Sequence, residues 1–420
     1  LPCWLCPHHR ARPNNNSQYR RNRTYVCHQE CFRLTKIAII YARFGPYHVA
    51  RLRGAAAMGA DNGWETIGIE VCPDDRVYAW DKVSNHGTSR CIGLLDGCEY
   101  SDCTWREIAA AVTAALAKEM PDVVVSPGWA FSESIAAAKW CRRNNKKSIL
   151  MSESCKWDKK RVWWSEWFKR QRVGLFDAAL VGGSPHADYL VELGMPRDRI
   201  AYGHNIVDNN YFAIQSEKAK AQKKNLRIAL ELPEQYMLAS GRFVSIKNFK
   251  RLLQAYRLYR SQSGERSIAL VICGDGMVRK ELQELAKDIG ISSFVYWPGF
   301  IQYDRLPDYY ALADFFIAPS TVEPWGLVVN EAMTCGLPVI VSKRCGCAYD
   351  LVEEGVNGFT VDPYSVEDMA AAMLKMSSGE ADLKRMGKES ERIIAKWTPE
   401  TFAKGLWWAI ETAGGSLKEN

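Results

Sequence analysis

Apolar residues in this chain fall into short continuous runs, separated by stretches in which they recur every three or four positions. In the first half the runs are 36–41 (KIAIIY), 65–71, 122–126 (DVVVS), 148–151 and 178–181. Between them lie helical patterns at 48–58 and from Thr104 to Met120. The second of these opens on a capping box, Thr104-x-x-Glu107, and stops at Pro121. Continuous Val/Ile runs alternating with helices predict a parallel sheet covered on both faces. The alternation breaks at 209–225, a polar and charged stretch that reads as a linker. It then restarts, with strands predicted at 236–240, 267–273, 294–297, 314–317 and 339–342. Helices are predicted at 248–260, 277–289 and 327–335. The helix at 248–260 gathers Phe249, Leu252, Leu253, Tyr256 and Tyr259 on one face, and Gly336 and Pro338 end the helix at 327–335. The expectation is two doubly wound α/β domains in tandem, 36–208 and 226–398. In such sheets ligands bind beyond the carboxyl ends of the strands, which places a site in the cleft between the two.

A chain of 420 residues has room for two or three domains. At 47% hydrophobic and 25% charged residues it is neither a disordered nor a collagen-like chain. No run of 18 apolar residues marks a membrane span. The net charge is +7, of which residues 1–35 contribute +5, so the body of the chain gives little support for a nucleic-acid partner. Residues 1–35 lack any helix or strand period and are expected to be a disordered basic leader. Cys3, Cys6, Cys27 and Cys31 with His8, His9 and His28 have loosely zinc-like spacing, but no apolar scaffold surrounds them. The 14 cysteines are scattered, and some, such as Cys273, sit in apolar runs. They read as reduced, buried thiols, and the N-terminus lacks the apolar core of a signal peptide. Both point to the cytoplasm.

Candidate chemistry concentrates in the second half. The strand at 236–240 leads into Gly241-Arg242, and Lys247 precedes a helix. Two cations beside a helix N-terminus form a diphosphate cradle, or else a turn with two solvated cations. After the strand at 314–317 comes PSTVEPWGLVVNEAMTCGLP. Glu323 falls in the strand-end loop, Gly326 at the start of the next helix and Glu331 within it, so two carboxylates and free N–H groups converge. A capped helix with solvated acids accounts for either glutamate singly but not for the whole string. Cys273-Gly-Asp-Gly276 reads as the tight turn that α/β units need.

With these motifs in order, followed by Trp297-Pro-Gly299-Phe300 and Glu354-Gly-Val-Asn-Gly358, the segment 236–363 resembles the family-4 retaining glycosyltransferases of the GT-B fold. The resemblance implies two Rossmann-like domains facing across a cleft and a nucleotide-diphospho-sugar donor. It implies that Arg242 and Lys247 hold the donor diphosphate and that Glu323 contacts the sugar hydroxyls. Gly241, Gly326 and Leu327 would approach the phosphates with backbone, Glu331 would hold the ribose, and Gly299, Phe300 and Ile301 would line the base. It also implies a last helix, within 399–420, that crosses back to the first domain.

The first half matches less closely. Gly45 suits a glycine turn near the donor phosphates. Where many relatives carry a His after the strand equivalent to 148–151, this chain reads Met151-Ser152-Glu153. Glu153, Ser152 or His48 is left for that place, unless Glu153 merely pairs with a cation such as Lys156. In the front-face picture associated with the family, a leaving-group phosphate oxygen helps to deprotonate the acceptor. No D-x-D occurs, so no metal is expected, and no cofactor is implied because the nucleotide-sugar is a substrate. The acceptor is a hydroxyl of a glycan, glycolipid or small molecule.

Residues 156–172 (KWDKKRVWWSEWFKRQR) carry Trp163, Trp164, Trp167 and Phe168 surrounded by Lys159, Lys160, Arg161, Lys169, Arg170 and Arg172. Such a helix suits the cytoplasmic face of a membrane and a lipid-linked acceptor. Its alternative is an ordinary helix with its aromatic stripe against the core. Rival functions are a GT-B-type nucleotide-sugar epimerase and a non-catalytic binder of nucleic acid or membrane.

Overall fold

Thirteen strands, all in parallel ladders, form two sheets in the computed structural model, which describes residues 35–74, 80, 89–264 and 267–414. The first sheet contains β1 (Thr35–Tyr41), β2 (Trp64–Glu70), β3 (Arg90–Gly93), β4 (Val123–Pro127), β5 (Lys147–Ser152), β6 (Ala178–Val181) and β7 (Ile200–Tyr202), in the order β3-β2-β1-β4-β5-β6-β7. The second contains β8 (Tyr236–Ser240), β9 (Ala269–Cys273), β10 (Val295–Gly299), β11 (Phe315–Ala318), β12 (Val339–Ser342) and β13 (Gly358–Val361), in the order β10-β9-β8-β11-β12-β13. Each order reverses at its first strand, β1 or β8, as a doubly wound sheet requires. The readings of residues 1–34 as a leader and of their Cys/His cluster lie outside the described residues, as do 415–420. Thr35, assigned to the leader, opens β1.

Central strands are sealed on both faces. Ile37, Ala38, Ile39 and Ile40 of β1 are fully buried, with Ile37 and Ile39 in one apolar cluster and Ala38 and Ile40 in another. Alternate residues of a strand point to opposite faces, so a run apolar at every position needs helices on both sides. The Thr104 capping box forms: its side chain accepts from the Glu107 N–H, and Glu107 accepts from the Thr104 N–H at 2.8 Å.

The stretch 209–225 is not an open linker. Asn209–Ala221 is a helix, capped by the Asp208 side chain accepting from the Tyr211 N–H at 3.0 Å, and a second helix spans Lys223–Ala229. Phe212, Ser216 and Ala219 recur at helical spacing and are buried, while the lysines form the solvated face. Pro399–Thr412 is the last helix. Its Phe402, Leu406, Ala409 and Ile410 are completely buried in one cluster with Ile37, Ile39 and Leu52 of the first domain.

The cleft between the sheets is bridged by direct contacts. Trp325, 1% exposed, packs against the His186 ring and donates to Asn330 Oδ1 at 2.8 Å. Asn330 Nδ2 donates to the Asn205 carbonyl at 3.1 Å, the Ser184 N–H to Asp350 at 2.9 Å, and Arg344 to the Trp157 carbonyl at 2.8 Å. No described helix is long and apolar enough to cross a membrane, and the ten described cysteines are all free thiols.

Candidate functional site

On the second domain the loops after β8, β9 and β10 are laced together by backbone bonds. The Gly241 N–H donates to Cys273 O at 3.0 Å, Phe243 N–H to Asp275 O at 2.8 Å, and Gly274 N–H to Gly299 O at 2.7 Å. This approach explains the glycine of Cys273-Gly-Asp-Gly276: a Cβ on Gly274 would lie 1.9 Å from the Gly241 carbonyl. The motif is therefore a strut under the 241–247 loop. Asn248, left-handed at φ 62°, donates through Nδ2 to the carbonyls of Pro319 (2.9 Å) and Pro363 (2.7 Å). Asparagine tolerates that conformation better than most side chains. These bonds fix the turn that carries Lys247.

Lys247 and Glu323 form an ion pair, with side chains 16% and 15% exposed, and Ser320 Oγ donates to the same Glu323 oxygen at 3.2 Å. Gly326 caps the helix Leu327–Thr334 at φ 103°, a region that favours glycine. A Cβ on Gly326 would lie 3.3 Å from Glu323 Cγ, so the start of that helix, where the first N–H groups have no intrahelical partner, lies beside Glu323. Arg242 is exposed and makes no side-chain hydrogen bond or ion pair with a described residue. Gly299 ends β10. Phe300 beyond it is 42% exposed and Ile301 half-buried, at the rim of the same end of the sheet.

Glu331 stands apart from the rest. It is wholly buried, and both its oxygens are taken: Oε1 by the Tyr47 hydroxyl from across the cleft, Oε2 by the Tyr310 hydroxyl at 2.6 Å. Burial pushes its carboxyl up to about 7, against the lowering effect of the two phenols. Tyr47 is itself packed edge-on against Trp80 (5.1 Å) and Tyr303 (5.9 Å). The glutamate expected to meet a ribose is thus closed off by tyrosines.

On the first domain two strand ends use the same device. Gly45 and Gly183 each cap a helix with Pro in its first turn, and each N–H donates to a histidine Nδ1 three residues on: His48 at 3.0 Å and His186 at 3.1 Å. Accepting at Nδ1 leaves the proton on Nε2, so His186 donates to the Pro324 carbonyl at 2.8 Å. Burial, helped by the Arg51 charge, depresses the His48 pKa to about 3, so its ring is neutral.

Glu153 follows β5 and keeps 38% of its side chain exposed. It does not pair with Lys156, which reaches Glu192 at 2.7 Å. Its partner is His204, whose Nε2 lies 3.1 Å from Oε1. Burial favours the neutral acid, but the His204 hydrogen bond and the His204 and Arg51 charges prevail, holding the Glu153 pKa down at about 2. His204 has its own pKa lowered to about 4 by burial and Arg51, and its Nδ1 is buried with no partner among the described residues. Two residues beyond Glu153, Cys155 Sγ sits 3.7 Å from the Pro324 carbonyl. The loop carrying Glu153 therefore abuts the loop carrying Glu323. Ser152 is fully buried.

The structure thus gathers Lys247, Glu323, Gly326 and Leu327 on one wall, and Gly45, His48 and Glu153 on the other. Sequence reading missed His204, Arg51, His186, Tyr47 and Tyr310. His204 stands two residues after β7, so the strand-end rule pointed to it once β7 was recognised.

Residues 220–393 match the family model described as Glycosyl transferases group 1. The chain is 28% identical over 200 residues to mannosylfructose-phosphate synthase of Agrobacterium fabrum, covering 46% of this chain and 43% of that one. It is 34% identical over 146 residues to the GDP-mannose-dependent alpha-(1-6)-phosphatidylinositol monomannoside mannosyltransferase of Mycobacterium tuberculosis, covering 33% and 38%. The chain thus matches less than half the length of these curated relatives. Among solved structures, HepE of Anabaena in complex with UDP superposes with a TM-score of 0.68 at 16% identity, over 90% of this chain and 99% of that one. The fold is GT-B.

Proposed function

We propose that this chain, whose residues 220–393 match the family model of the group 1 glycosyl transferases, moves a sugar from a nucleotide-diphospho-sugar to an acceptor hydroxyl with retention of configuration and without a metal. The observation that carries this reading is the Lys247–Glu323 pair at the open N-terminus of Leu327–Thr334, on a loop that abuts the one bearing Glu153. Lys247, Arg242 and the helix N–H groups take the charge of the departing diphosphate, the work a metal does elsewhere. Glu323 orients the sugar hydroxyls. Glu153 lies on the acceptor side, and its fixed negative charge stabilises positive charge building on the anomeric carbon. Retention follows the front-face route, in which a leaving phosphate oxygen takes the acceptor proton.

The UDP bound by HepE and the GDP-mannose of the mycobacterial relative support a nucleoside-diphosphate donor. The phosphatidylinositol mannoside in that relative's name supports a lipid-linked acceptor. The test has two stages. A thermal-shift panel of nucleoside diphosphates and their sugars identifies the donor, because a ligand bound only to the folded state raises Tm. Release of free nucleoside diphosphate is then followed with and without acceptors and with a chelator. Transfer predicts acceptor-dependent release that survives chelation. Release that ignores every acceptor, with the sugar isomerised, identifies an epimerase, and loss of activity on chelation overturns the metal-free cradle.

Donor binding has a built-in competitor. For Glu331 to accept from ribose hydroxyls, the Tyr47 hydroxyl has to leave it. Tyr47→Phe removes that competitor, whose bond has a net worth of about 0.5–1.5 kcal/mol. Donor affinity is expected to rise by up to about tenfold in calorimetry. Glu331→Ala is expected to weaken it by about ten- to a hundredfold, since bonds to a charged group are worth about 1.5–3 kcal/mol. Unchanged dissociation constants in both variants remove Glu331 from the donor site.

A further inference from the structure

The helix Trp163–Val173 is built inside out. At about 100° per residue, Glu166, Lys169 and Val173 share one narrow face, and that face is turned inward. Val173 is buried, while Glu166 and Lys169 pair at 2.6 Å and both contact the Tyr189 hydroxyl. Trp163, Trp164, Trp167 and Phe168 cover the opposite side, and they are 82%, 54%, 53% and 55% exposed. Val162, just before the helix, is exposed as well. The alternative of an aromatic stripe packed on the core is therefore wrong. Four adjacent large aromatics open to water form the kind of contiguous apolar patch that marks a contact surface.

The charge around the patch has one sign. Arg170 and Arg172 flank the aromatic face on its two sides by the same helical count, and both are exposed. The nearby acids are already neutralised: Glu166 by Lys169 and Arg161, Glu192 by Lys156 and Arg161. Lys159 and Lys160, in the segment leading into the helix, and Arg172 on it are exposed and have no ion pair with a described residue. An aromatic face rimmed by unpaired cations matches an anionic bilayer, with the indoles at headgroup depth and the cations on the phosphates. The fit to a protein partner is poorer, because nothing in the patch selects a shape.

We propose that Trp163–Val173 and its cationic rim seat the first domain on the surface of an anionic phospholipid bilayer. The ten residues before Trp163 run back to Glu153, so the seat and the acceptor side of the cleft belong to one connection after β5. The seat is a property of the surface and does not depend on the reaction being transfer.

The test is flotation of the full chain with phosphatidylcholine vesicles, with and without phosphatidylglycerol. Binding is expected only to the anionic vesicles and to fall as salt is raised. Combined Trp163→Gln, Trp164→Gln, Trp167→Gln and Phe168→Gln, or combined Lys159→Glu, Lys160→Glu and Arg172→Glu, should each reduce partitioning roughly tenfold or more. Donor binding and Tm should stay at wild-type values, because these side chains are outside the core. Equal binding to neutral vesicles, no binding at all, or undiminished binding by both variants overturns the proposal. So does wild-type protein that self-associates through this helix and leaves vesicles unbound. Failure here leaves donor release untouched, so it is distinguishable from failure of the transferase reading.

Discussion

Lys247→Ala lowers kcat by about 10²–10³-fold, equivalent to about 2.7–4 kcal/mol of transition-state stabilisation, as loss of one preorganised donor to a developing anion does elsewhere. The backbone carrying Lys247 is held by Asn248, whose amide reaches two carbonyls on the far side of the loop. The ammonium therefore needs little rearrangement when the diphosphate departs. Its pairing with Glu323 before the donor arrives matters too. Without Lys247, a carboxylate only 15% exposed is left beside the sugar position with Ser320 as its remaining hydrogen-bond donor. Some loss of stability is expected with the loss of rate, so the comparison is made on folded protein checked by its melting temperature. Lys247→Arg keeps the charge and should recover part of the rate. Arg242→Ala should cost less than Lys247→Ala, because Arg242 is exposed and its charge is screened by solvent. Pre-steady-state turnover at saturating donor gives the answer, and a Lys247→Ala variant with wild-type kcat excludes the cradle.

Much of the architecture was legible because parallel strands sealed on both faces leave a strong mark. The Val/Ile run of β4 and the run of β1 announce themselves without alternation. The misreading of 209–225 has a definite cause. The buried stripe of Asn209–Ala221 is Phe212, Ser216 and Ala219, and two of these three are not strongly apolar. Ser216 is accommodated because its hydroxyl donates to the Cys335 carbonyl at 3.5 Å. Beyond Ile214 a hydropathy pattern sees mostly polar and charged residues, whereas the helix is fixed by its Asp208 cap and by tertiary contact. β3 (Arg90–Gly93) escaped notice because it is a four-residue edge strand with no buried residue.

The residues proposed for the donor side on the second domain lie within one hundred positions of each other and share a motif string, so local spacing is enough to single them out. The residues that complete the site come from elsewhere. Tyr47 meets Glu331 across 284 positions, and no local pattern encodes that contact. His48 is a candidate on the acceptor side, yet its Nδ1 is committed to the Gly45 N–H and its ring packs, tilted, against Tyr41 at 4.2 Å. A histidine so engaged shapes the turn at the end of β1 before it does anything else.

Glu153→Gln is expected to lower the single-turnover rate by about 10²-fold or more while leaving the donor dissociation constant unchanged, the signature of an interaction made in the transition state. The carboxylate has the two properties this needs. Its side chain is 38% exposed on a loop that abuts the one bearing Glu323, and it stays ionised, because His204 and Arg51 hold its pKa down at about 2 although burial acts the other way. His204 is then a positioning residue acting through Glu153, and a pH profile separates that role from mere packing. A carboxyl with a depressed pKa keeps its charge until the pH falls through that low value. Removing the donor with His204→Leu raises the Glu153 pKa, so the acid limb of the rate profile should move to higher pH. His204→Gln, which retains an N–H, should restore much of the wild-type limb. The unpartnered Nδ1 of His204 adds a second expectation: as a buried acceptor with nothing to accept, it gives an acceptor hydroxyl or a water a place to donate. A Glu153→Gln variant as fast as wild type transfers the task to His48 or to the donor phosphate. An acid limb that is the same in His204→Leu as in wild type reduces the His204 contact to structure alone.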